Sequence, residues 1–291
     1  MPDQSHPWPA LKHWLKLSRW QARRGMAGLR WGTQNLVRTP AVLGNAMPKS
    51  GSHLIIQVLQ GLTSLGPFVN PGFPPVNRSE DNHKLPEAAV LENLQRMRSG
   101  DIAYGYVHSH PPFIQELTRP GKAAVFVYRD PRDMIVSHVF YATEMYDQHG
   151  MRQYYTQQLN NMEERINAAI QGVSEEGAVL SSVREKYENY LGWLEVPQVL
   201  SLRFEDLILE RDRALSRLLV YLCERGFEPK VDQEVAVERL KRAIAPSRSG
   251  TFRRGKPGNW REYFTPGNKA LFKDIAGDLV VRLGYEENSA W

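Results

Sequence analysis

A single α/β domain with a central parallel sheet flanked by helices is expected from three features of this 291-residue chain. Short apolar runs alternate with longer segments of helical spacing, the pattern of successive β–α–β units. One run, Ala123-Ala124-Val125-Phe126-Val127-Tyr128, has no polar alternation and suits a strand buried on both faces. The composition is 42% hydrophobic and 24% charged, ordinary globular values that exclude disorder, collagen and coiled coil as the main architecture.

The elements follow in order. Residues 1–40 read as an extension ahead of the domain, which takes residues 41–291. The extension carries Lys12, Lys16, Arg19, Arg23, Arg24, Arg30 and Arg38 against the single acid Asp3. It also holds Trp8, Trp14, Trp20 and Trp31, and residues 9–24 have the spacing of a basic amphipathic helix. Such a segment can lie on anionic lipid or a partner protein, or pack its tryptophans on the domain and leave its charges in water. Ala41 to Met47 is a short strand ended by Pro48, and residues 53–62 continue with helical spacing. Residues 66–86 hold Gly66, Pro67, Pro71, Gly72, Pro74, Pro75 and Pro86, too many breakers for regular structure, and form a long loop suited to line a site. Ile102 to His108 and Ala123 to Tyr128 are further strands. Pro131 opens a helix running to about Tyr146. Residues 151–195 read as helical, Val199 to Phe204 as a strand, and Glu205 to Glu224 as a helix closed by Gly226.

Cys223 is the only cysteine, so no intramolecular disulfide or cysteine zinc site forms and a reducing, cytoplasmic setting is expected. No run of about 18 apolar residues reads as a membrane span. Lys12, Lys16 and Arg19 break the first apolar stretch, against a secretory signal. The net charge of +5 matters only where it is focused.

Four motifs carry chemistry. Pro48-Lys49-Ser50-Gly51-Ser52-His53 joins a strand to a helix. Its small residues let backbone N–H groups converge at the positive end of that helix, a phosphate cradle with Lys49 as a mobile cation. An ordinary strand-to-helix turn has the same look. A second, P-loop-like run, Gly250 to Lys256, has Pro257 where a Mg²⁺-binding hydroxyl belongs, against a nucleoside triphosphate kinase. Arg129 stands where a buried strand meets a helix, the edge at which open sheets bind ligands, with Ser137 two turns on. The alternative there is an ion pair of Arg129 with Asp130 or Asp133. Arg253, Arg254, Gly255 and Lys256 make a flexible basic loop able to wrap an anion. Nucleic acid is its rival partner, but the run is short and no continuous basic stripe exists. His108 and His110 leave a strand on one face, placed for general base work, for a metal or for a structural hydrogen bond. No third ligand lies at metal spacing nearby.

Taken in order, strand–Pro-Lys-Ser-Gly-Ser–helix, His108-Ser-His110-Pro-Pro, Tyr128-Arg129-Asp-Pro-Arg-Asp through Ser137, Arg203-Phe-Glu-Asp-Leu, and Phe252-Arg-Arg-Gly-Lys-Pro-Gly-Asn-Trp resemble the cytosolic-type sulfotransferase family over residues 41–275. The resemblance implies 3′-phosphoadenosine 5′-phosphosulfate (PAPS) as donor and in-line transfer of its sulfuryl group to an acceptor hydroxyl or amine, with no metal required. It assigns Lys49, Ser50, Gly51, Ser52 and His53 to the 5′-phosphosulfate, and Arg129, Ser137, Arg253, Arg254 and Gly255 to the 3′-phosphate. Lys49 would stabilise the leaving phosphate oxygen and His110 would be the general base. The acceptor is expected to be a small-molecule, lipid or saccharide hydroxyl held between loop 66–86 and residues 141–180.

Several positions depart from the family pattern. His108 replaces a lysine, His53 a threonine and Leu54 an adenine-stacking tryptophan, while Val183 is the nearest match to an adenine-contacting tyrosine. The late dimer motif is degenerate at Arg261, Thr265-Pro266 and Ala270. The rival functions are a nucleotide-dependent kinase and a non-catalytic nucleotide-binding or membrane-associated module.

Overall fold

The computed structural model describes residues 8–245 and 255–291. Helices α1 (Trp8–Trp31) and α2 (Thr33–Arg38) precede β1 (Ala41–Ala46), which Pro48 ends as expected. The chain then runs α3 (Ser52–Gly61), the breaker-rich loop, α4 (Glu87–Gln95), β2 (Ile102–Gly105), α5 (Pro111–Leu117), β3 (Lys122–Tyr128) and α6 (Pro131–Phe140). The four-stranded sheet has order β2-β1-β3-β6, with β6 at Leu200–Arg203, and every neighbour pair is parallel.

β3 shows why the sheet is buried on both sides. Ala124 and Phe126 face one core layer, with α6, α7 (Met162–Gln171), α8 (Val183–Leu191) and α12 (Pro266–Arg282). Ala123, Val125 and Val127 face the other, with α3, α10 (Arg211–Cys223) and α11 (Gln233–Ala243). This is the period-2 alternation of a strand with helices on each face, and each fully buried large apolar side chain contributes about 1.5–3 kcal/mol.

Four expectations need correction. β2 stops pairing at Gly105 rather than His108. Beyond it the chain stays extended, but two asparagine carboxamides replace the neighbouring strands. Asn77 accepts the Tyr106 amide and donates to its carbonyl, both at 3.1 Å. Asn45 does the same for Val107, at 2.8 and 2.9 Å. A buried amide left unpaired costs about 1–3 kcal/mol, so these two side chains fix the path that leads to His108.

Residues 151–195 are not one helical stretch. A π-helical turn (Tyr154–Gln158), α7, an antiparallel hairpin of β4 (Val173–Glu175) and β5 (Ala178–Leu180), and α8 divide them. The helix expected from Glu205 to Glu224 is broken at Glu210, which sits outside the helical region between α9 (Phe204–Leu209) and α10. The helix from Pro131 also ends early, at Phe140, and a π-helical turn carries the chain through Met145. Such turns are frequent at functional sites because they redirect side chains by one position.

α1 lies against the domain on one side. Trp20 is 9% exposed and donates from Nε1 to Asp101 Oδ1 at 2.8 Å, and Arg24 pairs with the same carboxylate at 2.9 Å. Arg23 donates to the Asn70 carbonyl and Lys16 pairs with Glu80, so the helix is tied to the breaker-rich loop.

Candidate active site

The loop after β1 builds the floor of a cleft of about 1070 Å³ at the C-terminal edge of the sheet. Gly51 caps α3 in the left-handed region, φ 94°, and a Cβ there would meet Phe204 Cδ2 at 2.5 Å, so only glycine fits. Leu54 and Ile55 take the Gly51 carbonyl. The amides of Gly51, Ser52 and His53 are left without a backbone carbonyl partner among the described residues. Orphan amides at a helix start are an anion site in waiting. Ser50 is fully buried, its Oγ unpaired, while Ser52 Oγ accepts from Tyr106 Oη at 3.0 Å.

Among the described residues, Lys49 is one of two non-glycine residues of positive φ (67°). Its carbonyl accepts from Arg129 at 3.3 Å and its ammonium stands 3.6 Å from the centroid of the Tyr141 ring. Burial, then the Arg129 charge, pulls the Lys49 pKa down to about 8. Burial and Lys49 likewise lower His53.

Arg129 is buried at the end of β3, its guanidinium 4.4 Å from the Phe204 ring centroid and 3.6 Å from Asp133. The expected competition between acids resolves by position. Asp130 caps α6 and pairs with Arg132, whereas Asp133 lies beside Arg129. Arg129 keeps Nε unpaired. Ser137, two turns along α6, faces the same cleft.

Both flanks of the late basic loop are pinned to this cleft. Gln57 on α3 exchanges two hydrogen bonds with the Ala245 backbone, at 2.9 and 3.0 Å. Asp133 accepts the amides of Gly258 and Trp260, each at 2.8 Å. Gly255 and Lys256 face the cleft; Arg253 and Arg254 lie outside the described residues. Asp133 therefore has a part that the sequence did not disclose, tying α6 to the loop beside Arg129.

The two histidines separate. His108 faces the cleft and packs edge-on against Tyr190, ring centroids 4.9 Å apart. Its pKa is lowered, chiefly by burial and then by His110 and Lys84. His110 caps α5 at the rim, stacked on Phe113, with Nδ1 2.6 Å from Glu87 Oε1. Glu87 faces the cleft, while His110 is not part of its wall. The rings of His108 and His110 are 5.4 Å apart. Leu54 faces the cleft together with Phe204 and Ile208, whereas Val183 is fully buried in the core and offers nothing to a ligand.

A model of the sulfotransferase domain family matches residues 40–284. No curated protein matches the chain. Among solved structures, the chain is similar to mouse sulfotransferase SULT7A1 complexed with PAP, at 16% identity and a TM-score of 0.59 over 85% of both chains. It is also similar to retinol dehydratase in complex with androsterone and the inactive cofactor PAP, at 15% identity and a TM-score of 0.53 over 84% of this chain and 83% of that one. A second retinol dehydratase structure, with retinol and PAP, aligns at 15% identity and a TM-score of 0.51 over 84% of each chain.

Proposed function

The chain belongs to the sulfotransferase domain family, and on that premise we propose that it transfers a sulfuryl group from PAPS to an acceptor hydroxyl or amine. One observation carries the reading: Lys49 with its loop, Arg129 with Ser137, and both flanks of the late basic loop face one cleft beside His108 and Glu87. Its unpaired Arg129 Nε, orphan amides at α3 and glycine-only turn suit a polyanionic nucleotide. PAPS, when bound, supplies an activated sulfuryl group on a phosphate leaving group.

In this reading the amides of Gly51, Ser52 and His53, with the hydroxyls of Ser50 and Ser52, hold the 5′-phosphosulfate. Arg129, Ser137 and Gly255 hold the 3′-phosphate, joined by Arg253 and Arg254. Leu54, Phe204 and Ile208 give the base an apolar seat in place of a stacking tryptophan. Lys49 donates to the oxygen on which negative charge develops. His110 takes the acceptor proton. Glu87 at Nδ1 leaves Nε2 as the basic nitrogen.

PAP, the desulfated donor, is expected to raise the thermal midpoint of the purified protein, and label is expected to pass from ³⁵S-PAPS to a hydroxyl acceptor in a mixed panel. Neither stabilisation nor transfer, with ATP and Mg²⁺ active instead, would discard the reading in favour of a kinase.

We further propose that residues 1–40, as an extension ahead of the catalytic unit, seat the enzyme on anionic lipid. No acid occurs between residues 8 and 40. Met26 and Val37 are 60% and 66% exposed, and Leu29 is 90% exposed, on α1 and α2. Among the described residues no helix is long and apolar enough to cross a membrane, so the contact would be peripheral. The double variant Met26→Glu/Leu29→Glu is expected to lower co-sedimentation with phosphatidylserine vesicles about tenfold or more, while PAP stabilisation is kept. Equal sedimentation of variant and wild type would remove the lipid role.

A further inference from the structure

Seven lysines and arginines among the described residues face the cleft, against two carboxylates, and both carboxylates are engaged. Asp133 holds two amides and Arg129, and Glu87 pairs with His110. The three donor stretches account for only part of this excess. Lys186 belongs to none of them: it reaches the cleft from α8.

Among the described residues, no hydrogen bond or ion pair engages the Lys186 ammonium. Its one acidic neighbour, Glu185, is turned back to the start of α8, where it accepts the Ser182 amide at 2.8 Å. Two imidazoles, of His138 and His149, line the same cleft. His138 Nε2 is shut away from solvent with no partner, and the His149 ring lies 5.2 Å from that of His138. His149 Nδ1 accepts the Met151 amide at 3.1 Å, which assigns the proton to Nε2 and makes that nitrogen a donor. Burial first, then Lys186, His149 and Lys49, holds His138 well below its ordinary pKa. Burial, Lys49 and Lys186 lower His149. The Lys186 pKa itself is pulled down by burial to about 8. A desolvated ammonium in one cleft with two neutral imidazoles, with no carboxylate free to answer it, is an arrangement completed by an anion.

We propose that the acceptor carries an anionic group of its own, a carboxylate, phosphate or sulfate, held by Lys186 with His138 and His149. This rests on the sulfotransferase reading and deepens it by naming the acceptor class. The position favours the acceptor over the nucleotide. The group sits with Tyr141, whose ring touches both Lys49 and His149, and with the hairpin residues Gly177 to Ser181. The apolar seat for the base is made by other elements, α3 and α9. On the loop opposite, Arg78 and Lys84 add positive charge to the cleft.

The test uses the full chain saturated with PAP and a matched pair of probes, 4-hydroxyphenylacetate and its neutral amide, with binding read by calorimetry. The wild type is expected to bind the carboxylate about tenfold more tightly than the amide or better. Lys186→Met is expected to level the two while PAP affinity stays within about twofold, and Lys186→Arg to keep the preference. Equal or absent binding of the two probes by the wild type would overturn the proposal. So would loss of PAP affinity in Lys186→Met, which would place the lysine on the donor. Failure of the wild type to bind PAP at all would instead bring down the sulfotransferase reading beneath it.

Discussion

Replacing Lys49 with methionine is expected to lower kcat by about 10²–10³, the loss that follows removal of one preorganised donor from a developing oxyanion. The expectation comes from how the residue is held. Its backbone sits at φ 67°, a conformation unusual for a side chain with a Cβ, and Arg129 fixes its carbonyl. The ammonium is thereby kept over Tyr141, partly stripped of water and close to a like charge. Such a group gains most when an anion arrives.

The same environment gives a pH dependence with a definite sign. The free protein's Lys49 has a pKa near 8, depressed from 10.5 by burial and Arg129, so it is protonated at pH 7 and loses its proton as pH rises through about 8. A bound phosphate raises that pKa, so the complex holds the proton longer than the free protein does. Affinity for PAP is therefore expected to be full below pH 7 and to fall above pH 8, by at most about one decade per pH unit for this group. In Lys49→Met, calorimetry across pH 6.5–9.5 should show a shallower fall. A variant with kcat within tenfold of wild type, or a pH slope identical to it, would remove Lys49 from the leaving oxygen.

Much of the cleft's donor side could be read from sequence because each part is local. The Gly51 turn, the apolar run of β3 and the arginine that ends it are contiguous stretches whose residue types state their geometry. What could not be read depends on partners far along the chain. β2 ends at Gly105 because Asn45, from a different strand, and Asn77, from the loop, capture the next two residues. A purely periodic reading sees Tyr106 to His108 as more strand. The β4–β5 hairpin did leave a local sign, Gly177 at φ 79° within the turn, which helical spacing on either side masked. The break at Glu210 left none, with neither glycine nor proline at the join. Lys186, His138 and His149 come from two helices and a loop, and no spacing rule connects them.

The pair of histidines poses the sharpest division of labour. His110→Ala is expected to lower kcat by about 10²–10⁴, the usual worth of a positioned base, while PAP affinity holds within about twofold. His108→Ala is expected to act mainly on acceptor KM, since His108 faces the cleft edge-on to Tyr190 and, among the described residues, no carboxylate hydrogen-bonds its ring; Glu87 reaches it only as a nearby charge. Of the two, His110 has that orienting partner: Glu87 Oε1, 2.6 Å away, accepts the Nδ1–H and leaves Nε2 as the acceptor. Glu87→Gln should therefore weaken kcat where His110 is present but add little on top of His110→Ala, because the carboxylate acts through the ring. Single-turnover transfer of label from ³⁵S-PAPS reads all four variants. If His108→Ala took the larger loss in kcat and His110→Ala were silent, proton removal would pass to the histidine already inside the cleft, and the Glu87 pair would be a surface contact.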